Sequence, residues 1–291
     1  MHGVLVLDKP SGCTSHDLTL RARQLLGESR LGHLGTLDPL ATGVLPLLVG
    51  EAARLAEYAP TGKVYEAACR LDLFTDTDDV TGAPLPTPSV SFPDPERVRL
   101  AVEGLRMVTE QIPPMVSAVK VDGIRLYELA RKGITIERKA RPVVIGSVEC
   151  LSVEGMRVRF RVACSGGTYV RSLCRTLGEG LGTGGCLESL RRLEAGPFTI
   201  GEALSWETFE KSVRESAVVL QPSLRLVAHL PLVKLDDRMA EDVLHGRAPD
   251  APTGTPEGLV CLVNPQGKVA AIAEVNGGKL RPKKVFGKEG I

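Results

Sequence analysis

Asp38 lies in GHLGTLDPLATG (residues 32–43), between glycines and threonines, directly before Pro39 and ahead of the apolar run GVLPLLVG. A lone acid in such a loop has two uses. It can act as a nucleophile or acid–base group, a role open to Asp, or it can form a turn ahead of proline. The first use needs the ionised form, and a nearby cation lowers a carboxylate's pKa. Arg171 follows Gly166-Gly167-Thr168-Tyr169 at the start of a helical pattern and is the cation the sequence offers. On residue chemistry alone the two uses weigh evenly.

Other chemistries fit less well. The loop lacks the Gly-Lys-Ser/Thr ending of a phosphate-binding loop. An aspartic-protease dyad needs a second matching carboxylate loop. Asp76-Thr77-Asp78-Asp79 has no calcium-loop spacing and reads as a solvated acidic turn. The seven cysteines are scattered, with no CxxC pair, so neither a zinc site nor a disulfide framework is expected.

The elements that must carry these residues follow from periodicity. VLVL (Val4–Leu7) reads as a buried strand ending at a DKPSG turn. In SHDLTLRARQLLG, Leu18, Ala22, Leu25 and Leu26 share one helical face and Gly27 is the stop. GVLPLLVGEA predicts a buried strand with a helix starting near Glu51, and VYEAACRLDLF alternates as a half-buried strand through Leu73. TDTDDVTGAPLPTPSVSFPDP reads as a loop, and Asp94-Pro95-Glu96 as a helix start. QIPPMVSAVKVDG is expected to be extended and IRLYELARKG a short helix. A strand is expected over Val143–Val153, another over MRVRFRVAC with its arginines Arg157, Arg159 and Arg161 on a solvated face, and an amphipathic helix over YVRSLCRTLGEGL. Irregular βαβ spacing argues against a doubly wound sheet. The expectation is α+β, with a mainly antiparallel mixed sheet and flanking helices. After about Leu226 a strand, a short helix, a hairpin turning at Asn264–Gly267 and the basic strand RPKKVF predict a small β-rich module. The division expected is 1–225 and 226–291.

The chain has 291 residues, 43% hydrophobic and 24% charged, with a formal net charge of +1. It has no apolar run long enough to span a membrane and no signal-peptide pattern, so a cytoplasmic protein is expected. The small net charge argues against an indiscriminate polyanion binder, although local basic clusters can hold a nucleic acid. Candidates are Arg21/Arg23/Arg30, Arg138/Lys139/Arg141, Arg191/Arg192 and Arg281/Lys283/Lys284/Lys288; on charge alone each reads as a solvated face.

GHLGTLDPLATGVLPLLVGEA closely resembles the catalytic motif of the TruB-type tRNA pseudouridine synthases, GHxGTLDPxAxGxLxxxxGxAT. GVLVLDKPSGCTS, KVYEAACRL, TDTDDVTG, QIPPMVSAVKVDGIRLYELARKG, CSGGTYVRSLCRTLGEGLG and SLRRLEAGPF resemble further motifs of that family, in the same order from Gly3 to about Phe198. The resemblance implies a pseudouridine-synthase catalytic domain followed by a PUA-like domain. The implied activity is isomerisation of uridine to pseudouridine at position 55 in the tRNA T loop. It implies base flipping and attack by the Asp38 carboxylate, with no cofactor and no metal. Attack at uracil C6 and at ribose C1′ are both compatible with one Asp.

By resemblance, His33 enters the vacated base stack, Tyr65 packs on the flipped uracil and is a candidate to take the C5 proton, and Tyr169 is a second pocket aromatic. Arg171 pairs with Asp38, Leu190 forms an apolar floor, and Lys9 supports the fold near the site. The implied partner is the T-stem loop of tRNA, with no membrane, no obligate protein partner and a monomeric state. A non-catalytic tRNA-binding or tRNA-folding protein and a guide-RNA-dependent rRNA pseudouridine synthase are the competing readings. Leu34, Asp72, Val116 and Gly166 depart from the family pattern, where Thr, Gly, Tyr and Lys are common.

Overall fold

The chain opens with β1 (Gly3–Lys9), whose apolar residues are buried. It then enters α1 (Ser15–Leu26), in a computed structural model that describes residues 1–88, 91–117, 119–121 and 123–291. Ser89 and Val90 of the expected loop, and Ala118 and Asp122 of the expected extended segment, lie outside the described residues. Thr14 and Asp17 form a capping box on α1: the Asp17 amide donates to Thr14 Oγ1 (3.0 Å) and the Thr14 amide to Asp17 Oδ2 (2.9 Å). Such pairs satisfy amides that a helix start leaves without partners. Gly27 closes the helix in the left-handed region, φ 61°.

β2 (Leu31–His33) and β3 (Thr42–Val49) form an antiparallel hairpin with His33 opposite Leu47. The loop between them is the glycine-rich stretch that bears Asp38. A helix follows at Gly50–Tyr58, of the 3-10 type. β4 (Lys63–Arg70) stops short of the expected Leu73, because Phe74–Thr75 pairs instead with Pro84–Leu85. α2 (Pro95–Gly104) starts as predicted, with Asp94 accepting from the Glu96 amide (3.2 Å) and Pro95 in its first turn. β5 (Glu110–Gln111), α3 (Leu126–Arg131) and β6 (Arg141–Pro142) precede the long β7 (Ile145–Glu154) and β8 (Arg157–Cys164). α4 (Val170–Leu181) and β9 (Cys186–Ala195) complete this stretch. β9 and the later α5 (Trp206–Arg214) were not expected from periodicity. In β9 the charges Glu188, Arg191, Arg192 and Glu194 mask the strand pattern. The chain ends with β10 (Leu232–Lys234), α6 (Asp237–Leu244), β11 (Gly258–Val263), β12 (Val269–Asn276) and β13 (Lys279–Val285).

The structure divides into two compact units. The first is 1–38, 44–60 and 195–291; the second is 39–43 and 61–194. In the first, β3 from Val44 onward neighbours β1 and pairs with β2. Leu5, Leu7, Leu18, Ala22, Leu45, Leu47 and Phe209 form one buried cluster there. The last strands run in the order β10–β11–β12–β13, with β10 parallel to β11 and the others antiparallel. They have a core of their own around Val233, Val243, Leu262 and Ala273. Cys261, Val263, Ile272 and Phe286 also join Val4, Val44, Leu48 and Leu55 in one cluster, so this module is packed into the first unit through shared apolar surface.

In the second unit the order is the start of β3, then β9, β4, β8 and β7. β7, β8 and β4 pair antiparallel, while β9 pairs parallel with Thr42 and Gly43 of β3. The mixed, mainly antiparallel sheet with flanking helices is the α+β architecture expected. Buried Val170, Leu173, Cys174, Leu177 and Leu181 lie on the inward stripe of α4.

Candidate active site

Each unit holds part of the expected set. The first contains Lys9, His33 and Asp38. Lys9, the last residue of β1, has no exposed surface, and its Nζ donates to Pro10 O (2.9 Å). His33 ends β2, half-buried. The next residue, Leu34, donates its amide to Pro46 O (2.9 Å), which ties down the entry to the loop. Asp38 is half-buried and follows Leu37, whose side chain is buried. Both main-chain groups of Leu37 are held by Ser15 at the start of α1: its Oγ accepts from the Leu37 amide (2.8 Å) and donates to the Leu37 carbonyl (3.1 Å).

The second unit takes over at Pro39. Gly43 stands opposite Arg192 of β9 with φ +105°, and a Cβ there would lie 2.1 Å from Arg192 O. Only glycine fits so close an approach at that φ. Thr42 Oγ1 donates to Leu190 O (3.5 Å) and accepts from Arg191 Nη1 (3.3 Å). The exit from the loop is therefore stitched to β9.

Tyr65 lies on β4 opposite Val162 and is 6% exposed. Its side chain hydrogen-bonds Arg192, which has no exposed surface. Burial pushes the Arg192 guanidinium below its ordinary pKa, and the Tyr65 contact opposes that shift. Leu190, two residues before Arg192 and hence on the same face of β9, is also buried. The expectation that Arg191 and Arg192 form a basic surface is corrected for Arg192: it is a core residue that supports Tyr65.

Tyr169, half-buried, is the N-cap residue of α4. The buried Gln111 side chain pairs with its backbone as another strand would. Gln111 Oε1 accepts from the Tyr169 amide (2.8 Å) and Nε2 donates to its carbonyl (3.2 Å). Arg171, 3% exposed, donates to Thr77 O (3.1 Å) and Val116 O (2.8 Å), and its Nε lies 3.9 Å from Asp79 Oδ2.

The acidic turn is not solvated as expected: Asp78 and Asp79 are buried. Asp78 takes a charge-assisted bond from Arg175 Nε (2.6 Å), and Asp79 Oδ1 accepts from Thr77 Oγ1 (3.0 Å) and the Thr81 amide (2.9 Å). Burial is tolerated because α4 supplies arginines to the turn. Arg157 and Arg161 do lie on an exposed strand face, paired with Glu188 and Glu66. Among the described residues, no group of three or more His, Cys, Asp or Glu side chains could hold a metal ion.

Sequence reasoning missed Ser15, Gln111, Asp79 and Arg192. All four stand inside stretches that carry the family resemblance, but the residues they serve, Leu37, Tyr169, Arg171 and Tyr65, are distant in sequence. The four departures are all accommodated. Leu34 packs on the core of the first unit. Asp72 forms a bidentate pair with Arg70, which holds its carboxyl below the usual range. Val116 serves Arg171 through its carbonyl, which any residue supplies. A Cβ at Gly166 would meet Thr61 Cβ at 2.8 Å.

Residues 23–170 match the family described as TruB family pseudouridylate synthase (N terminal domain), and residues 171–227 match the tRNA pseudouridylate synthase B C-terminal domain. The chain is 47% identical to the tRNA pseudouridine synthase B of Aromatoleum aromaticum over 97% of its own length and 92% of that protein's. It is 42% identical to the tRNA pseudouridine synthase B of Thermobifida fusca over 98% of each. Among solved structures it is similar to a chain in an H/ACA RNP bound to a substrate RNA containing 2′-deoxyuridine. The TM-score is 0.74 and the identity 25%, covering 98% of this chain and 85% of that one. It is also similar to a chain of a Cbf5-Nop10-Gar1 complex, with TM-score 0.73, 28% identity and the same coverage.

Proposed function

The chain belongs to the TruB family of pseudouridylate synthases, and from that premise we propose that it isomerises uridine to pseudouridine at position 55 in the T loop of tRNA. The observation that carries the reading is the near full-length likeness to proteins named tRNA pseudouridine synthase B. In the reaction the C1′–N1 bond breaks, uracil turns, and a C1′–C5 bond forms. The C5 proton is lost and N1 gains one, so no redox partner enters the balance. A stacked uridine exposes none of these atoms and must first be extruded, at a cost of a few kcal/mol.

In this reading Asp38 is the attacking carboxylate and Arg171 its cationic partner. Tyr65 packs on the everted base and takes the C5 proton, Tyr169 and Leu190 line the pocket, His33 fills the vacated stack, and Lys9 supports the fold near the site. Residues 1–225 act as the catalytic domain and 226–291 as a PUA-like module that grips the tRNA outside the T loop. The protein works in the cytoplasm as a monomer without an obligate protein partner. The hold on the residue before Asp38 and the hydrogen bond to Tyr65 support these roles, since reacting groups must be fixed closely for efficient attack.

The test is release of tritium from an unmodified tRNA labelled at uridine C5. Wild type is expected to release the label, and Asp38→Asn to release none while binding the tRNA within about threefold of wild type. Release by Asp38→Asn at the wild-type rate would overturn the assignment of Asp38.

A further inference from the structure

The loop between β2 and β3 that bears Asp38 contains Gly35, at φ +87°, and has no helix or strand of its own. Glycines in such a loop leave the backbone free to wander unless something restrains it. Ser15 supplies a restraint at one point. It stands 22 residues away in sequence, is 1% exposed, and sits in the first turn of α1 directly after the Thr14 cap. Its single hydroxyl satisfies both main-chain groups of Leu37, as acceptor at 2.8 Å and donor at 3.1 Å.

The Leu37 amide belongs to the peptide plane before that residue. The Leu37 carbonyl belongs to the plane shared with Asp38. Holding both fixes the direction in which the chain enters Asp38 Cα, because a peptide unit is rigid. Thr14 and Asp17 lock the helix start directly in front of Ser15.

We propose that Ser15 is a positioning residue for the reaction, which sets the attack geometry of the Asp38 carboxylate by clamping the Leu37 peptide from the start of α1. The inference rests on the reading of Asp38 as the reacting group. It assigns to the helix start a role in catalysis beyond that of folding.

The alternative is a hydroxyl that only stabilises the fold, and Thr19→Val provides the comparison. It removes a buried hydroxyl bond from the same helix turn without touching Leu37. Turnover of C5-tritiated tRNA is measured for wild type, Ser15→Ala and Thr19→Val, well below their melting temperatures. Ser15→Ala is expected to lose about tenfold or more in kcat, the scale of a small displacement of a reacting group. Its KM should stay within about twofold, because binding of the tRNA is untouched. Thr19→Val should keep the wild-type kcat. Equal kcat for Ser15→Ala and Thr19→Val overturns the proposal, as does a Ser15→Ala defect confined to KM. Should Ser15→Ala fail to fold, Ser15→Cys takes its place with the same two outcomes, since a thiol fills the site but bonds weakly. Asp38→Asn, run alongside, separates the levels. If it still releases tritium, the reading of Asp38 fails. If it is silent and Ser15→Ala turns over like Thr19→Val, only the clamp fails.

Discussion

Arg192 shows how much one side chain depends on its surroundings. A guanidinium with no exposed surface costs several kcal/mol unless its donors are met, and Tyr65 meets part of that need. The consequence runs in both directions: Arg192 fixes the phenol, and the phenol makes a buried cation tolerable. Tyr65→Phe keeps the ring but takes one acceptor from Arg192. The expected loss is about 1–3 kcal/mol, as for any buried donor deprived of its partner. That lowers the melting temperature by roughly 2–4 °C for each kcal/mol in a chain of this size. A thermal melt checks it, and an unchanged midpoint would show that Arg192 does not need the hydroxyl. Tritium release from C5 should fall in the same variant, since the phenolic oxygen proposed to take that proton is gone.

Between elements, the decisive contacts are backbone ones. β3 and β9 meet in parallel at Gly43 and Arg192, close enough that a methyl group at Gly43 would overlap the Arg192 carbonyl. Gly43→Ala must either break this pairing or move β9, and with it Leu190 and Arg192. The expected cost is at least about 3 kcal/mol, the upper part of the overpacking range. Urea unfolding would show it as a lower midpoint at unchanged slope. A Gly43→Ala protein as stable as wild type would mean that the strands part easily there. Ser15 on Leu37 and Gln111 on Tyr169 are the same device at two places. In each, a short polar side chain does for an irregular segment what a neighbouring strand does for a regular one.

For the molecule as a whole, charge and thiol chemistry are both governed by burial and pairing. The basic strand β13 is largely neutralised within the first unit: Lys279 pairs with Asp250, Lys283 with Glu274 and Lys284 with Glu57. An RNA phosphate reaching these lysines must displace carboxylates first, so the strand is a weaker anion site than its sequence suggests. The cysteines behave likewise. Burial pushes the Cys186 thiol up to about 11 and that of Cys261 up to about 12, and Cys174 lies well above its ordinary value for the same reason. Thiolate is the reactive form. Burial raises the Cys150 thiol too, so a disulfide reagent at neutral pH should reach the half-buried Cys13 first, Cys150 more slowly, and all seven cysteines only after denaturation. Rapid modification of five or more in the native state would contradict the burial described.

Local pattern determined a large part of this protein. The capped start of α2, the apolar face and glycine stop of α1, the inward stripe of α4 and the alternation of β8 are short-range effects, legible because each depends on residues within a turn or two. The ordered motifs around Asp38, Tyr65 and Arg171 marked the family and the candidate residues. What tertiary structure alone decided is who holds them. A strand as charged as β9 becomes central only because Tyr65 and the start of β3 meet it there. An acidic turn becomes buried only because α4 turns Arg171 and Arg175 toward it. Ser15 acquires a purpose only when Leu37 lies against it. Hydrogen bonds and ion pairs depend on distance in space, and sequence records only distance along the chain.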